Sequence, residues 1–193
     1  MKKRLILVGA PAGCGKSYLS RRLAALVSPC VYLDLDSLNP LSQRLCQVAG
    51  EAFDKGGDFF RANGRDAEYE ALFTLAAEAL CYSDIVILSA PFTKELRDPG
   101  RFAWVREMAA EAGAGVLPVW VLCSPEACRR NMEERAAPRD AWKLADPEGY
   151  LAGIQLEPPE GIPGLFVLDN RRRGEQGEAL EALKRMLRPS QQG

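Results

Sequence analysis

Nine residues near the start, Gly9-Ala10-Pro11-Ala12-Gly13-Cys14-Gly15-Lys16-Ser17, have the types and spacing to hold a phosphate chain. Glycines let the backbone wrap an anion with successive N–H groups, and a helix opening at the lysine adds the positive end of its dipole. In such a loop Lys16 reaches the β- and γ-phosphates of a nucleotide, and the Ser17 hydroxyl ligates Mg²⁺. Ala12, Gly13, Cys14, Gly15 and Tyr18 complete the stretch expected against the nucleotide. Ala10 stands in the place of the first glycine, which the loose form of the motif allows. A chance match to that form in a chain this long is roughly one in a hundred. The flanks make it rarer, because the apolar run Leu5-Ile6-Leu7-Val8 leads in and a helical pattern leads out.

Two carboxylates form the second group. Asp34 and Asp36 end an apolar segment, Tyr32-Leu33-Asp34-Leu35-Asp36-Ser37, and in an extended chain residues two apart share a face. Ligands of an open parallel sheet gather at the carboxyl ends of its strands. There one of the two acids can help hold Mg²⁺, while the other accepts the proton of a hydroxyl attacking the γ-phosphate. The alternative is that they only cap the following helix.

Arginines form the third group. Arg129, Arg130 and Arg135 lie on a helical stretch that breaks at Ala136-Ala137-Pro138 and resumes at Arg139-Asp140. Phosphoryl transfer calls for positive charge that closes over the transferring group, and a helix–hinge–helix lid would bring it. A solvated helix with Arg130 paired to Glu134 is the plainer reading.

Other patterns exclude functions. The segment Ile85-Val86-Ile87-Leu88-Ser89 ends without an acid, unlike the metal-binding strand of motor ATPases and switch GTPases, and no Asn-Lys-x-Asp element is present. Asp54-Lys55-Gly56-Gly57 matches a switch motif by letter only. With no histidine, imidazole catalysis is impossible. Six cysteines without C-x-x-C spacing suit a reduced, cytosolic chain. A net charge of −1 argues against a long nucleic-acid track, and no apolar run reaches membrane-spanning length.

These groups need a scaffold. Strand patterns at Arg4–Val8, Cys30–Leu35, Ile85–Leu88, Val116–Leu122 and Leu165–Leu168 alternate with helical ones at about 17–27, 40–54, 66–82, 99–113, 125–135, 140–152 and 175–188. That alternation predicts a parallel sheet covered on both faces, within one domain of 193 residues. The insertion 39–82 is expected on the acceptor side, with Phe59, Phe60 and Tyr69 as an apolar wall or as core. Arg61 or Arg65 would hold an anionic acceptor, and Phe92 and Thr93 would touch it. Trp104 and Trp120 read as core. Cys14, beside a helix N-terminus, is expected to be oxidation-sensitive.

Taken together, the loop, the Asp34–Leu38 strand end, the arginine helix and the last strand Phe166-Val167-Leu168-Asp169-Asn170 resemble the P-loop small-molecule kinases. Chloramphenicol phosphotransferase, zeta-toxin-type kinases, polynucleotide 5′-kinases and shikimate kinase are the groups nearest in character. The resemblance implies a P-loop NTPase three-layer α/β/α sandwich with a five-stranded parallel sheet of order 2-3-1-4-5 and a small helical lid at about 125–152. It implies ATP and Mg²⁺, Asp36 as catalytic base, Asp34 supporting the metal, and Arg135 or Arg139 on the γ-phosphate. Adenine would lie near Arg129 and the turn after Asn170, at Arg171. The expected activity is phosphoryl transfer from ATP to a hydroxyl of a small-molecule or nucleotide-like acceptor. A regulatory ATP-binding module with slow hydrolysis and a 5′-end polynucleotide kinase are the rivals. The sequence leaves the oligomeric state open.

Overall fold

The computed structural model describes residues 3–136, 140–172 and 174–187. Its chain alternates strand and helix: β1 (Arg4–Gly9), α1 (Lys16–Val27), β2 (Val31–Asp34), a 3₁₀ turn (Leu35–Leu38), α2 (Asn39–Val48), α3 (Asp58–Asn63), α4 (Arg65–Tyr82) and β3 (Ile85–Ser89). Then come α5 (Pro99–Glu111), β4 (Gly115–Leu122), α6 (Pro125–Arg135), α7 (Ala141–Ala145), α8 (Pro147–Ala152), β5 (Phe166–Asp169) and α9 (Gly177–Leu187). All five strands are parallel in the order β2-β3-β1-β4-β5, as the resemblance implied.

The centre of the sheet is β1, which pairs with β3 on one side and β4 on the other. Leu5, Ile6, Leu7 and Val8 are almost wholly buried because helices cover both faces. Ile6 and Val8 pack with α1, α6 and α9, while Leu5 and Leu7 pack with α4, α5 and Trp120. This alternation is the period-two geometry of a strand between two helical layers. Caps set several helix starts. Ser124 accepts from Ala127 N, and Asp98 accepts from Gly100 N, each just before a proline that suits the first turn. Among the described residues, no helix is long and apolar enough to cross a membrane.

Three expectations need correction. The helical pattern at 40–54 ends at Val48, and residues 51–57 form an irregular connection closed by Asp54, which accepts from Gly56 N. The 140–152 pattern divides into α7 and α8, because Asp146 caps a new start at Pro147. Trp104 is not core: half of it is exposed, on a cavity of about 680 Å³ between α4 and α5, where Phe73 meets its ring edge-on. Trp120 is fully buried, as expected.

Candidate active site

The loop between β1 and α1 holds its shape through its carbonyl groups. The Asn131 amide donates to Gly13 O at 2.8 Å, the Asn170 amide to Cys14 O at 2.8 Å, and the Cys128 thiol to Ala12 O at 3.0 Å. With three successive carbonyls drawn to α6 and to the turn after β5, the loop gains the fixed backbone that anion binding by N–H groups needs. Gln176 steadies Asn170 by donating to its Oδ1 at 2.8 Å. Gly13 and Gly15 take φ of +89° and +84°, the left-handed region where a side chain is strained. A Cβ on Gly13 would press on Cys128 Sγ, and one on Gly15 on the Asn170 amide. Ala10 is tolerated because its φ is not positive and its methyl is buried among core residues. Lys16 opens α1 immediately after Gly15.

Asp34 and Asp36 reach the same sheet edge, but not as a pair on one extended face. Asp34 ends β2, and its Oδ1 accepts from Asp36 N at 3.1 Å, so the chain turns into the 3₁₀ segment and re-aims Asp36. The Tyr32 hydroxyl donates to Asp34 Oδ2 at 2.6 Å. Burial, with that bond, pushes the Tyr32 phenol up to about 12, so it stays a proton donor at neutral pH. Asp34 is 9% exposed, whereas the Asp36 side chain is more than one-third exposed. Opposite Asp34 on β3 lies Ser89, fully buried.

Lys55 escaped the sequence reading. Its ammonium lies 3.8 Å from Asp36 Oδ1 and 3.0 Å from the carboxylate of Glu68, which is 6% exposed and also accepts from Ser42. Asn131 and Asn170 were not read as loop anchors, although both lie in stretches the sequence singled out, because nothing local marks an amide that bonds a distant carbonyl.

The arginines behave differently from one another. Arg135 Nε donates to Asp140 Oδ2 at 2.9 Å, and Lys143 donates to the other oxygen at 3.0 Å. Burial opposes ionisation of Asp140, but the bonds from Lys143 and Arg135 outweigh it and hold the carboxyl below its usual range. Arg139 and Pro138 lie outside the described residues. Arg129 is exposed and bound to Glu133 at 2.8 Å, an i,i+4 pair on the same helix. Arg171 is also exposed and bonds back to Asp169. Tyr18 is 61% exposed beside Arg22.

On the acceptor side, Phe60 and Tyr69 are buried, so they follow the core reading. Arg65 is bound to Glu95 at 3.0 Å and Asp66 at 2.8 Å, which leaves it poorly placed to hold an anionic acceptor. Phe92 cannot touch an acceptor, because it is fully buried against Tyr69 and Phe73. Its backbone is held at φ +49°, with its N–H donating to the Tyr69 hydroxyl. Thr93 beside it is exposed. The expectation for Cys14 is overturned. Cys14 is almost wholly buried, and hydrogen bonds with Cys123 and Cys128, together with that burial, push its thiol up rather than down.

A glycine-rich loop feeding a helix beside the central strand, with acids at the neighbouring strand edge, defines a P-loop nucleotide-binding protein of kinase-like fold. The chain belongs to the AAA domain family, AAA_33, whose model matches residues 5–149. No curated protein matches the sequence. Among solved structures, a candidate kinase from Chloroflexus aurantiacus is similar at TM-score 0.70 and 17% identity, over 97% of this chain and 100% of that one. Kti12 from Chaetomium thermophilum, solved with ADP-AlF3, is similar at TM-score 0.65 and 16% identity, over 96% and 100%. The Mycobacterium tuberculosis APS kinase CysC, solved with AMPPNP and APS, is similar at TM-score 0.58 and 19% identity, over 96% and 98%. At these identities the likeness establishes the fold.

Proposed function

We propose that this protein is an ATP-dependent phosphotransferase acting on a hydroxyl of a small-molecule or nucleotide-like acceptor. The observation that carries the reading is the turn after β2. It sets a half-exposed carboxylate, Asp36, at the strand edge two positions from the fixed phosphate loop in the sheet order. Fold relatives solved with nucleotides, CysC with AMPPNP and APS and Kti12 with ADP-AlF3, are consistent with a nucleotide as one substrate.

Asp36 accepts the acceptor's hydroxyl proton as the oxygen bonds to the γ-phosphorus. The bond from that phosphorus to the β–γ bridging oxygen breaks, and ADP departs. Loop amides of residues 12–17 and the Lys16 ammonium stabilise the charge spread over the phosphate oxygens. Ser17 and Asp34 are the residues that would hold Mg²⁺, and their hard oxygen donors fit it. An ion held there would supply positive charge that offsets the negative charge of the phosphates during transfer. Arg135, oriented by Asp140, adds positive charge from the lid, together with Arg139. Arg129 and Arg171 flank the purine side. In this reading 1–193 is one domain, with 39–82 shaping the acceptor side and 125–152 the lid.

The test is ADP release from Mg-ATP across nucleosides, sugar nucleotides, aminoglycoside and phenicol antibiotics, and short oligonucleotides, with wild type beside Asp36→Asn. Acceptor-stimulated release that collapses in the variant is the expected result. ATP binding with flat, variant-insensitive hydrolysis overturns it in favour of a regulatory module. Turnover confined to oligonucleotide ends would reassign the acceptor.

A further inference from the structure

Resting on the reading of Asp36 as base, we propose that Lys55 is a positioning residue that couples the helices of the acceptor side to the Asp36 carboxylate. The sequence Asp54-Lys55-Gly56-Gly57, which fits a switch motif by letter, does different work in the fold. Asp54 closes a tight turn by accepting from Gly56 N at 2.8 Å through its side chain and from Gly57 N at 3.1 Å through its backbone carbonyl. That turn projects Lys55 from the irregular 51–57 connection back toward the end of β2. There its ammonium has two carboxylate neighbours, Glu68 at 3.0 Å and Asp36 at 3.8 Å, and the Phe60 ring lies 5.8 Å away.

The two neighbours differ in kind. Glu68 sits on α4, is nearly buried, and is fixed from the other side by Ser42 of α2. Asp36 sits on a one-turn 3₁₀ segment and is more than one-third exposed. A buried acid fixed by two donors is the stationary end of the bridge, and the exposed Asp36 is the end that must be aimed. Lys55 therefore transmits the placement of α2 and α4 to the carboxylate that receives the acceptor proton. Of the contacts to Asp36, the one that reaches back to α4 runs through the Lys55 ammonium to Glu68. A misplacement of about 1 Å at a reacting group can cost on the order of 10²-fold in rate, so one ammonium at this point has leverage.

The experiment compares Lys55→Met, Lys55→Arg, Glu68→Gln and the Lys55→Met/Glu68→Gln pair with wild type, each saturated with Mg-AMPPNP or turning over Mg-ATP. Hydrogen exchange of amides 35–39, read by mass spectrometry, needs no acceptor. It is expected to accelerate in Lys55→Met and to stay near wild type in Lys55→Arg. With an acceptor in hand, kcat is expected to fall about 10- to 100-fold in Lys55→Met, with KM for Mg-ATP little changed and recovery in Lys55→Arg. The paired substitution separates aiming from mere structure. If Lys55 only neutralises Glu68, the pair recovers wild-type kcat and exchange, and the proposal is overturned. If Lys55 aims Asp36, the pair stays as slow as Lys55→Met. Accelerated exchange without acceptor-dependent turnover in wild type would leave Lys55 aiming Asp36 while removing the base role from Asp36. Unchanged exchange in Lys55→Met overturns the proposal whatever the activity.

Discussion

The two sides of the sheet edge are built on different principles. On the phosphate side, three consecutive carbonyls are bonded by Cys128, Asn131 and Asn170, and each bond fixes a backbone segment rather than a charge. On the Asp36 side, charges hold charges: Lys55 with Glu68 and Asp36, and Arg65 with Glu95. The aromatic cluster of Tyr69, Phe73 and Phe92 fills the space behind them. The phosphate side must present N–H groups to one invariant ligand, so its backbone is the recognition element. If the Asp36 edge receives an acceptor, as proposed, recognition there rests on aimed side chains, which this charge network holds.

Substitutions should separate the two sides. Asp36→Asn is expected to lower acceptor-dependent turnover by about 10²–10⁴-fold, while a fluorescent ATP analogue binds as tightly as to wild type. Lys16→Ala should do the reverse first, losing nucleotide binding in the same titration, with a loss on the order of 10²-fold or more.

Arg65→Met tests the charge-held side. Glu95 is 3% exposed, and its remaining cation, Arg101, stands 3.8 Å away. Stranding that carboxylate should cost about 3 kcal/mol in urea unfolding, with ATP affinity intact in the folded protein. Asn131→Ala should show the opposite balance. Losing one amide-to-carbonyl bond is worth about 1 kcal/mol, or roughly fivefold in nucleotide affinity, with a small change in midpoint. Equal losses of stability and affinity in both variants would dissolve the distinction.

The smallest effect is at the Asp140 ion pairs. The Asp140 carboxyl is held below its usual range when folded, so its bonds to Arg135 and Lys143 stabilise the protein above the ordinary aspartate range. That contribution is lost as pH falls through the folded value. The difference in melting temperature between wild type and Asp140→Asn should therefore be full at pH 7 and shrink on acidification below pH 4, by calorimetry. Thiol titration gives a parallel check. Exposed Cys81 should react fast with a disulfide reagent, and Cys14 should stay silent with or without Mg-ATP.

Sequence alone determined the phosphate loop, the alternating elements, the sheet order through the resemblance, and the carboxylates at the end of β2. These are legible because the physics behind them is local. Glycine spacing sets left-handed backbone, and apolar runs between helices set buried parallel strands. Tertiary structure decided what lies far apart in the chain. Asn131 and Asn170 reach loop carbonyls more than 100 residues away, and nothing in their neighbourhoods announces it. Trp104 turns half outward because α4 and α5 leave a cavity that no periodicity records. The environment of Cys14 changed from a thiolate-stabilising helix end to a buried thiol cluster, because β4 and α6 bring Cys123 and Cys128 against it. Lys55 comes within 3.8 Å of Asp36 from a loop further along the chain, held there by Glu68 of α4 at 3.0 Å. Long-range packing chooses the partners of a side chain, and partners rather than residue type decide whether a charge binds, catalyses or braces.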